Sequence, residues 1–202
     1  MDESVIESIK RWPNVPAVFG WLSLTPRGQW RLHPAGKALQ GEPGESIGNS
    51  QILGFINRNY SHDEQGRWFF QNGPQRVYVR LDAAPWTLFA DDSQGLLSTH
   101  TGLPVQTVRQ MWVSREGNLY LQTDLGPGIL FDRDLPRFLQ GFTTHIGQAL
   151  EDWWADANGE DATHLKMTST AWQACPQTLP VRRLRNDQSV GIELGFVANP
   201  KP

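Results

Sequence analysis

Cysteine is almost absent from this sequence: Cys175 stands alone among 202 residues. A single thiol excludes an internal disulfide and a thiolate metal cluster, so a reducing, cytoplasmic setting is expected. Long apolar runs are missing too. No stretch approaches the roughly 20 residues needed to cross a bilayer. The N-terminus, Met1 to Trp12, is acidic and amphipathic, without the apolar core of a signal peptide. Charge is sparse at 19%, with a net of −3. Residues 1–100 hold 9 basic and 10 acidic side chains and residues 101–202 hold 9 and 11, so neither half is strongly charged. Generic attraction to nucleic acid or anionic lipid is disfavoured, and neither is expected as a partner.

Complete catalytic and cofactor motifs are also lacking. There is no Gly-x-x-x-x-Gly-Lys-Ser/Thr loop and no Gly-x-Gly-x-x-Gly after a strand, which removes the usual phosphate cradles. Gly126-Pro127-Gly128 reads as a turn because it does not open into a helix. The five histidines, at 33, 62, 100, 145 and 164, are scattered, with no His-Glu-x-x-His. His62 beside Asp63 and Glu64 reads as a solvated turn, since sequence neighbours rarely converge on one ion. No metal and no cofactor are expected. Gly44-Glu-Ser46-Ile-Gly48 matches the spacing of a hydrolase nucleophile elbow, but a loop rather than a strand precedes it. The reading is therefore a loop entering a helix, with Ser46 or Ser50 as the cap. Cys175, followed by Pro176, reads as an inert structural thiol. Arg182-Arg183-Leu184-Arg185 reads as a charged edge strand that resists pairing with other chains.

What the sequence has is 19 glycines, 14 prolines and nine tryptophans, a mixture suited to short strands joined by tight turns. Helices are expected over residues 2–11, near Asn49–Tyr60, from Asp132 or Asp134 (as cap) to about Gln140, and around Ile146, Leu150 and Trp153 or Trp154, ended by Ala157-Asn158-Gly159. Strands are expected at Val18–Thr25, Gln29–Leu32, Arg67–Asn72, Gln75–Leu81, Trp86–Ala90, Leu96–Thr99, Arg109–Ser114, Asn118–Thr123 and Ile129–Phe131. Later ones fall near Leu165–Thr168, Val181–Leu184 and Gly191–Val197. Gly28-Gln-Trp-Arg-Leu32, Gly66-Arg-Trp-Phe-Phe70 and Gly117-Asn-Leu-Tyr-Leu121 share a glycine followed by apolar residues at alternate positions. Two readings stay open: ordinary hairpins with glycine at the turn, or two related units.

One surface stands out. In Gln75–Leu81 the residues Val77, Val79 and Leu81 alternate toward a core, which puts Arg76, Tyr78 and Arg80 on the opposite face. Two guanidiniums flanking a phenol can stack on it and present donors to an anion. Pairing with Arg67–Asn72 would add Arg67 and Gln71. Asn57, Arg58, Asn59 and Tyr60 could extend the patch.

Arg11-Trp-Pro-Asn-Val-Pro16 leading into Gly20-Trp-Leu22, Phe55-Ile-Asn-Arg-Asn-Tyr60, Gly66 to Val79 and Leu194-Gly-Phe-Val-Ala-Asn-Pro200 together resemble an uncharacterised family of small proteobacterial proteins, known only as a domain of unknown function. The resemblance spans most of residues 11–140 and the C-terminal motif. A more distant likeness is to a second uncharacterised bacterial family, carried by a Gly-x-Trp-Phe strand and a helix before Val77–Trp86, then Gly126–Arg133. That likeness implies two similar α+β units in tandem and a suggested role in signalling. Neither family supplies catalytic residues.

The expected fold is α+β, antiparallel sheets with two or three covering helices and two related units. The expected division is 1–72, 73–142 and a C-terminal extension, 143–202. The expected function is a non-enzymatic regulatory or signalling module. It would bind an anionic small molecule or a protein partner through Arg58, Asn59, Tyr60, Gln71, Arg76, Tyr78 and Arg80. The alternatives are a hydrolase using His100 or His62 with carboxylates, and a homo-oligomeric structural protein.

Overall fold

The computed structural model describes residues 1–91, 93–156, 159, 161–168, 172–184 and 190–202. One turn chemistry recurs five times along it. Thr25–Gln29, Asp63–Arg67, Thr99–Leu103, Ser114–Asn118 and Thr144–Gln148 each begin with Ser, Thr or Asp and carry glycine fourth. In each, the glycine N–H donates to the first residue's carbonyl, and the first residue's N–H donates to the fifth residue's carbonyl. The first side-chain oxygen then accepts from the fifth N–H. The fourth residue sits at φ between +73° and +87°, a region that costs a side-chain-bearing residue free energy and glycine almost none. The glycine motif seen in the sequence is thus the signature of a turn, and two of the five turns lack the aromatic sequel.

The chain divides into two compact units, Met1–Pro85 with Gly195–Pro202, and Trp86–Leu194. The first contains α1 (Glu3–Arg11), β1 (Val18–Leu24), β2 (Trp30–Leu32), β3 (Glu45–Ser46), α2 (Ser50–Arg58), β4 (Tyr60–His62), β5 (Trp68–Asn72) and β6 (Gln75–Leu81). Its six strands form one sheet in the order β3-β2-β1-β6-β5-β4, antiparallel except for the β1–β6 pair. Asn49 caps α2, its Oδ1 accepting from the N–H groups of Gln51 and Ile52 at 2.9 and 3.1 Å, so the expected cap at Ser46 or Ser50 is not used. Phe55 meets Phe70 edge-on at 5.5 Å and the Trp30 indole N–H donates to Asn57 Oδ1 at 2.8 Å, fixing the helix over one sheet face.

The second unit contains β7 (Trp86–Asp91), β8 (Leu96–Thr99), β9 (Val108–Val113), β10 (Leu119–Thr123), β11 (Gly126–Leu130), α3 (Leu135–Leu139), β12 (Phe142–Thr144), α4 (Leu150–Ala155), β13 (Ala162–Met167), β14 (Thr178–Arg183) and α5 (Val190–Leu194). Its eight strands run β12-β13-β14-β9-β10-β11-β7-β8. A five-strand frame recurs in both units: a hairpin, then a three-strand meander whose last strand pairs parallel to the hairpin's first. The registers agree as well. Leu22 pairs with Leu32 and Val79, and Leu88 with Thr99 and Leu130. Counting from those rows puts Phe69 and Phe70 level with Tyr120 and Leu121, and Gly66 level with Gly117.

Several expectations are corrected. A boundary at 72 would cut the β5–β6 hairpin, where Gln71 faces Arg76 and Asn72 faces Gln75; the units divide after Pro85 instead. Residues 143–202 are not one extension: β14 pairs with β9, and Gly195–Pro202 belong to the first unit. Expected as a strand, Gly191–Val197 instead contributes to α5, with only Val197 bridging to Arg67. β14 lies between β13 and β9, so Arg182 and Arg183 are on an interior strand, not an edge; Arg185 lies outside the described residues. Asp134 does not cap α3; its carboxylate accepts from the Ala90 N–H at 3.0 Å. Ile146 sits exposed in a turn before α4, and Ala157 and Asn158 lie outside the described residues.

Candidate functional site

The alternation expected along β6 holds, but the face carrying Arg76, Tyr78 and Arg80 is not an open platform. Tyr78 is only 4% exposed. Its ring stacks on Phe19 at 4.6 Å, the Arg67 guanidinium lies 4.7 Å from its centroid, and its hydroxyl donates to Asp63 Oδ2 at 3.0 Å. Arg67 also binds that carboxylate, at 2.8 Å. Burial pushes the Asp63 carboxyl up, and the hydrogen bonds from Arg67 and Tyr78 more than reverse this, leaving it below the usual range. Arg80 is 11% exposed, paired with Asp82 at 2.8 Å, and donates to the carbonyls of Ala38 and Glu42. Only Arg76 is exposed, its guanidinium 4.5 Å from the Phe69 ring centroid.

The remaining expected site residues are also engaged inside the protein. Gln71 is buried and donates to the Gly73 carbonyl. Asn59 is buried between α1 and α2; it accepts from the Asp2 N–H and donates to Phe55 O and Asp2. Arg58 closes on Asp2 at 3.0 Å at the surface, and this pairing holds the Asp2 carboxyl below its ordinary range. Tyr60 is buried, with its hydroxyl donating to Pro85 O, and burial raises its pKa well above the ordinary value. These residues anchor α1, α2 and the meander. They do not converge on one exposed patch.

The histidines favoured for hydrolysis fare similarly. His62 is exposed beside the Asp63 carbonyl. His100 is pushed down to about 3 by burial and accepts from the Thr87 N–H, which keeps it neutral. Two histidines face a hydroxyl: His145 Nδ1 lies 3.0 Å from Thr163 Oγ1, and His33, buried, has Nε2 2.8 Å from Ser23 Oγ. His33 and Ser23 are 0% exposed, and Gly44 presses on the His33 imidazole so closely that a Cβ there would lie 2.7 Å from Cε1. A substrate carbonyl has no route to that serine in this arrangement. Ser46 is exposed on β3, which pairs with β2, rather than on an elbow. Burial pushes the Cys175 thiol up to about 12.

The opposite face of the first sheet holds what the sequence reading missed. A groove of about 710 Å³ opens between α2, β3 and the β2-β1-β6 rows. Val18, Leu22, Ile56, Phe70 and Val77 form its walls. Trp21, Leu32 and Ile52, which also line it, are 44%, 42% and 50% exposed. Exposed apolar side chains such as Leu32 and Ile52 around one concavity distinguish a binding groove from isolated surface residues. Among the described residues, Glu45 is the only charged one in the lining. The alternating pattern of β1, β2 and β6 could have identified the walls, but nothing local says where α2 stops covering them. A second cleft of about 770 Å³, in the second unit, is more polar. At its border Arg183 donates to the carbonyls of Trp153 and Trp154 and lies 4.3 Å from the Trp153 ring centroid.

The fold and groove define an α+β protein of two tandem sheets with an apolar concavity on the first. The chain belongs to the family DUF2944, described as "Protein of unknown function (DUF2946)", whose profile matches residues 1–201. Among curated proteins, none matches it. Similar solved structures include a DUF1285 family protein from Shewanella baltica OS155, 17% identical, with a TM-score of 0.44, covering 60% of this chain and 91% of its own. Another is a DUF1285 family protein from Silicibacter pomeroyi DSS-3, 14% identical, with a TM-score of 0.48, covering 85% of this chain and 86% of its own.

Proposed function

We propose that the protein is a non-enzymatic binding module of the cytoplasm, and that its ligand is a small, mainly apolar molecule held in the groove of the first unit. The observation that carries this reading is the pair Leu32 and Ile52, each more than two-fifths exposed, on the rim of an apolar cavity of ligand size. Burying that rim is the free-energy gain available to a ligand, at about 25 cal/mol per Å² of apolar surface removed from water. An anionic ligand on the β6 face is not retained, because Arg80 and Arg67 are already committed to Asp82 and Asp63. A regulatory role follows naturally for a module that binds without chemistry, since a ligand that stabilises one state shifts its population.

Chemical-shift mapping with octan-1-ol tests the reading. Perturbations should concentrate at Leu22, Leu32, Ile52, Phe70 and Val77, and Val77→Trp, which fills the groove, should abolish them in a folded protein. Perturbations scattered over both units, or an unchanged response in Val77→Trp, would overturn it. Concentration-dependent dimerisation that buries the same rim would assign the groove to a second copy of the chain instead.

A further inference from the structure

Resting on that reading, we infer that the groove selects an apolar molecule bearing one cationic end, an alkyl or aryl ammonium, over neutral and anionic counterparts. Two features of the lining point this way. Glu45 brings the single formal charge, and among the described residues no Lys, Arg or His lines the groove. Glu45 is paired with Leu32 across β2–β3, which places it on the same sheet face as the apolar wall. A lone carboxylate at the mouth of an apolar cavity forms a complementary setting for a cation with a hydrocarbon body.

One feature opposes this, and magnitudes decide between them. The N-terminus of α2 also borders the groove, through Gly48, Asn49 and Ile52, and a helix start carries roughly half a positive charge. Three of its donors are already used: Asn49 Oδ1 accepts from Gln51 and Ile52, and the Asn49 carbonyl from Leu53. Half a charge with most of its N–H groups engaged is outweighed by a full carboxylate. The other polar groups of the lining are neutral, and Gln75 is tied to the Pro16 carbonyl at 3.2 Å. Nearby Arg31 reaches the Gly44 carbonyl and Gln29, away from the lining.

The test compares octylammonium, octan-1-ol and octanoate by calorimetric titration of the full chain at low salt. Octylammonium should bind about three- to fivefold tighter than the alcohol, the range that a surface ion pair supports, and octanoate should bind weakest. Glu45→Gln should remove the ammonium's advantage over the alcohol while leaving alcohol binding unchanged, and Glu45→Lys should reverse the order of the two ions. Raised salt should shrink the same difference. Octanoate binding as tightly as octylammonium would overturn the inference and assign control to the helix start. An ammonium preference that survives Glu45→Gln would overturn it also. Equal binding of all three probes leaves the groove as a ligand site and removes the charge selectivity, whereas binding of none removes both.

Discussion

The two units carry one five-strand frame to different ends. At the sheet position where the first unit has Leu32, 42% exposed, the second has Thr99, 2% exposed. Where the first unit has Val77 beside an open groove, the second has Gly128, and the Leu88 side chain lies so close that a Cβ would meet it at 2.7 Å. The inserts differ accordingly. Between hairpin and meander the first unit places β3 and α2, whereas the second has only the stretch around Val105 and goes on to extend its sheet with β12–β14. Identical register therefore does not fix what a sheet face does. The side chain at one position and the segment laid over it decide between a sealed core and a concavity.

The largest expected effect tests the shared register. Trp68 and its counterpart Leu119 are both buried, and truncation of such residues to alanine costs about 3–5 and 2–5 kcal/mol. Urea midpoints should fall sharply for Trp68→Ala and Leu119→Ala; a midpoint near wild type for either would break the equivalence. Next comes the asymmetry on β6. Arg80→Ala should cost about 1.5–3 kcal/mol, because its charge-assisted bonds to Asp82 and two carbonyls are lost in a mostly buried setting. Arg76→Ala, at an exposed position on the same face, should change stability by about 0.5 kcal/mol or less.

In both units a histidine follows the second hairpin strand, His33 fully buried and His100 half-buried, with His33 N–H donating to the Trp21 carbonyl and His100 N–H to that of Thr87. Burial lowers both pKa values, that of His100 to about 3. The unfolded chain therefore takes up these protons first. His100 should cost stability as pH falls below about 6.5, by about 1.4 kcal/mol per pH unit, or about 2 kcal/mol at pH 5, levelling near pH 3. His100→Gln should flatten the melting temperature against pH in that window, and an unchanged slope would show the imidazole is reached by solvent. A further effect separates two glycines. Gly44 and Gly102 both have positive φ, but only Gly44 presses on a histidine. Gly102→Ala should cost about 1 kcal/mol and Gly44→Ala more. Equal costs would mean that the segment before β3 gives way around His33.

Local patterning made most strands legible, because turn chemistry and period-two alternation are written within a few residues of each other. Thr25, Asp63 and Ser114, each followed three residues later by glycine, announce hairpins without reference to the rest of the chain. α2 was equally visible from Ile52, Leu53, Phe55 and Ile56. Short strands such as Glu45–Ser46, Tyr60–His62 and Phe142–Thr144 were missed because two or three residues carry no period. The same alternation that placed Arg76, Tyr78 and Arg80 together could not foretell that Phe19 and Asp63, distant in sequence, would close over Tyr78. The groove escaped for the converse reason: it exists where a covering segment falls short, and no residue pattern records that.

The stretch Gly195–Ala198 returns to the first unit after all of the second has been made. Val197 N–H donates to the Gly66 carbonyl and Leu81 N–H to that of Ala198, and a Cβ at Gly66 would lie 2.7 Å from the Gly195 oxygen. During synthesis the first sheet thus leaves the ribosome with these backbone groups waiting on water for more than a hundred residues, and its last hydrogen bonds form only when translation has passed Ala198. Assembly of the first unit closes late, after the residues of the second have been made, so a ribosome stalled before Gly195 would release a chain whose groove-bearing half is the less stable one.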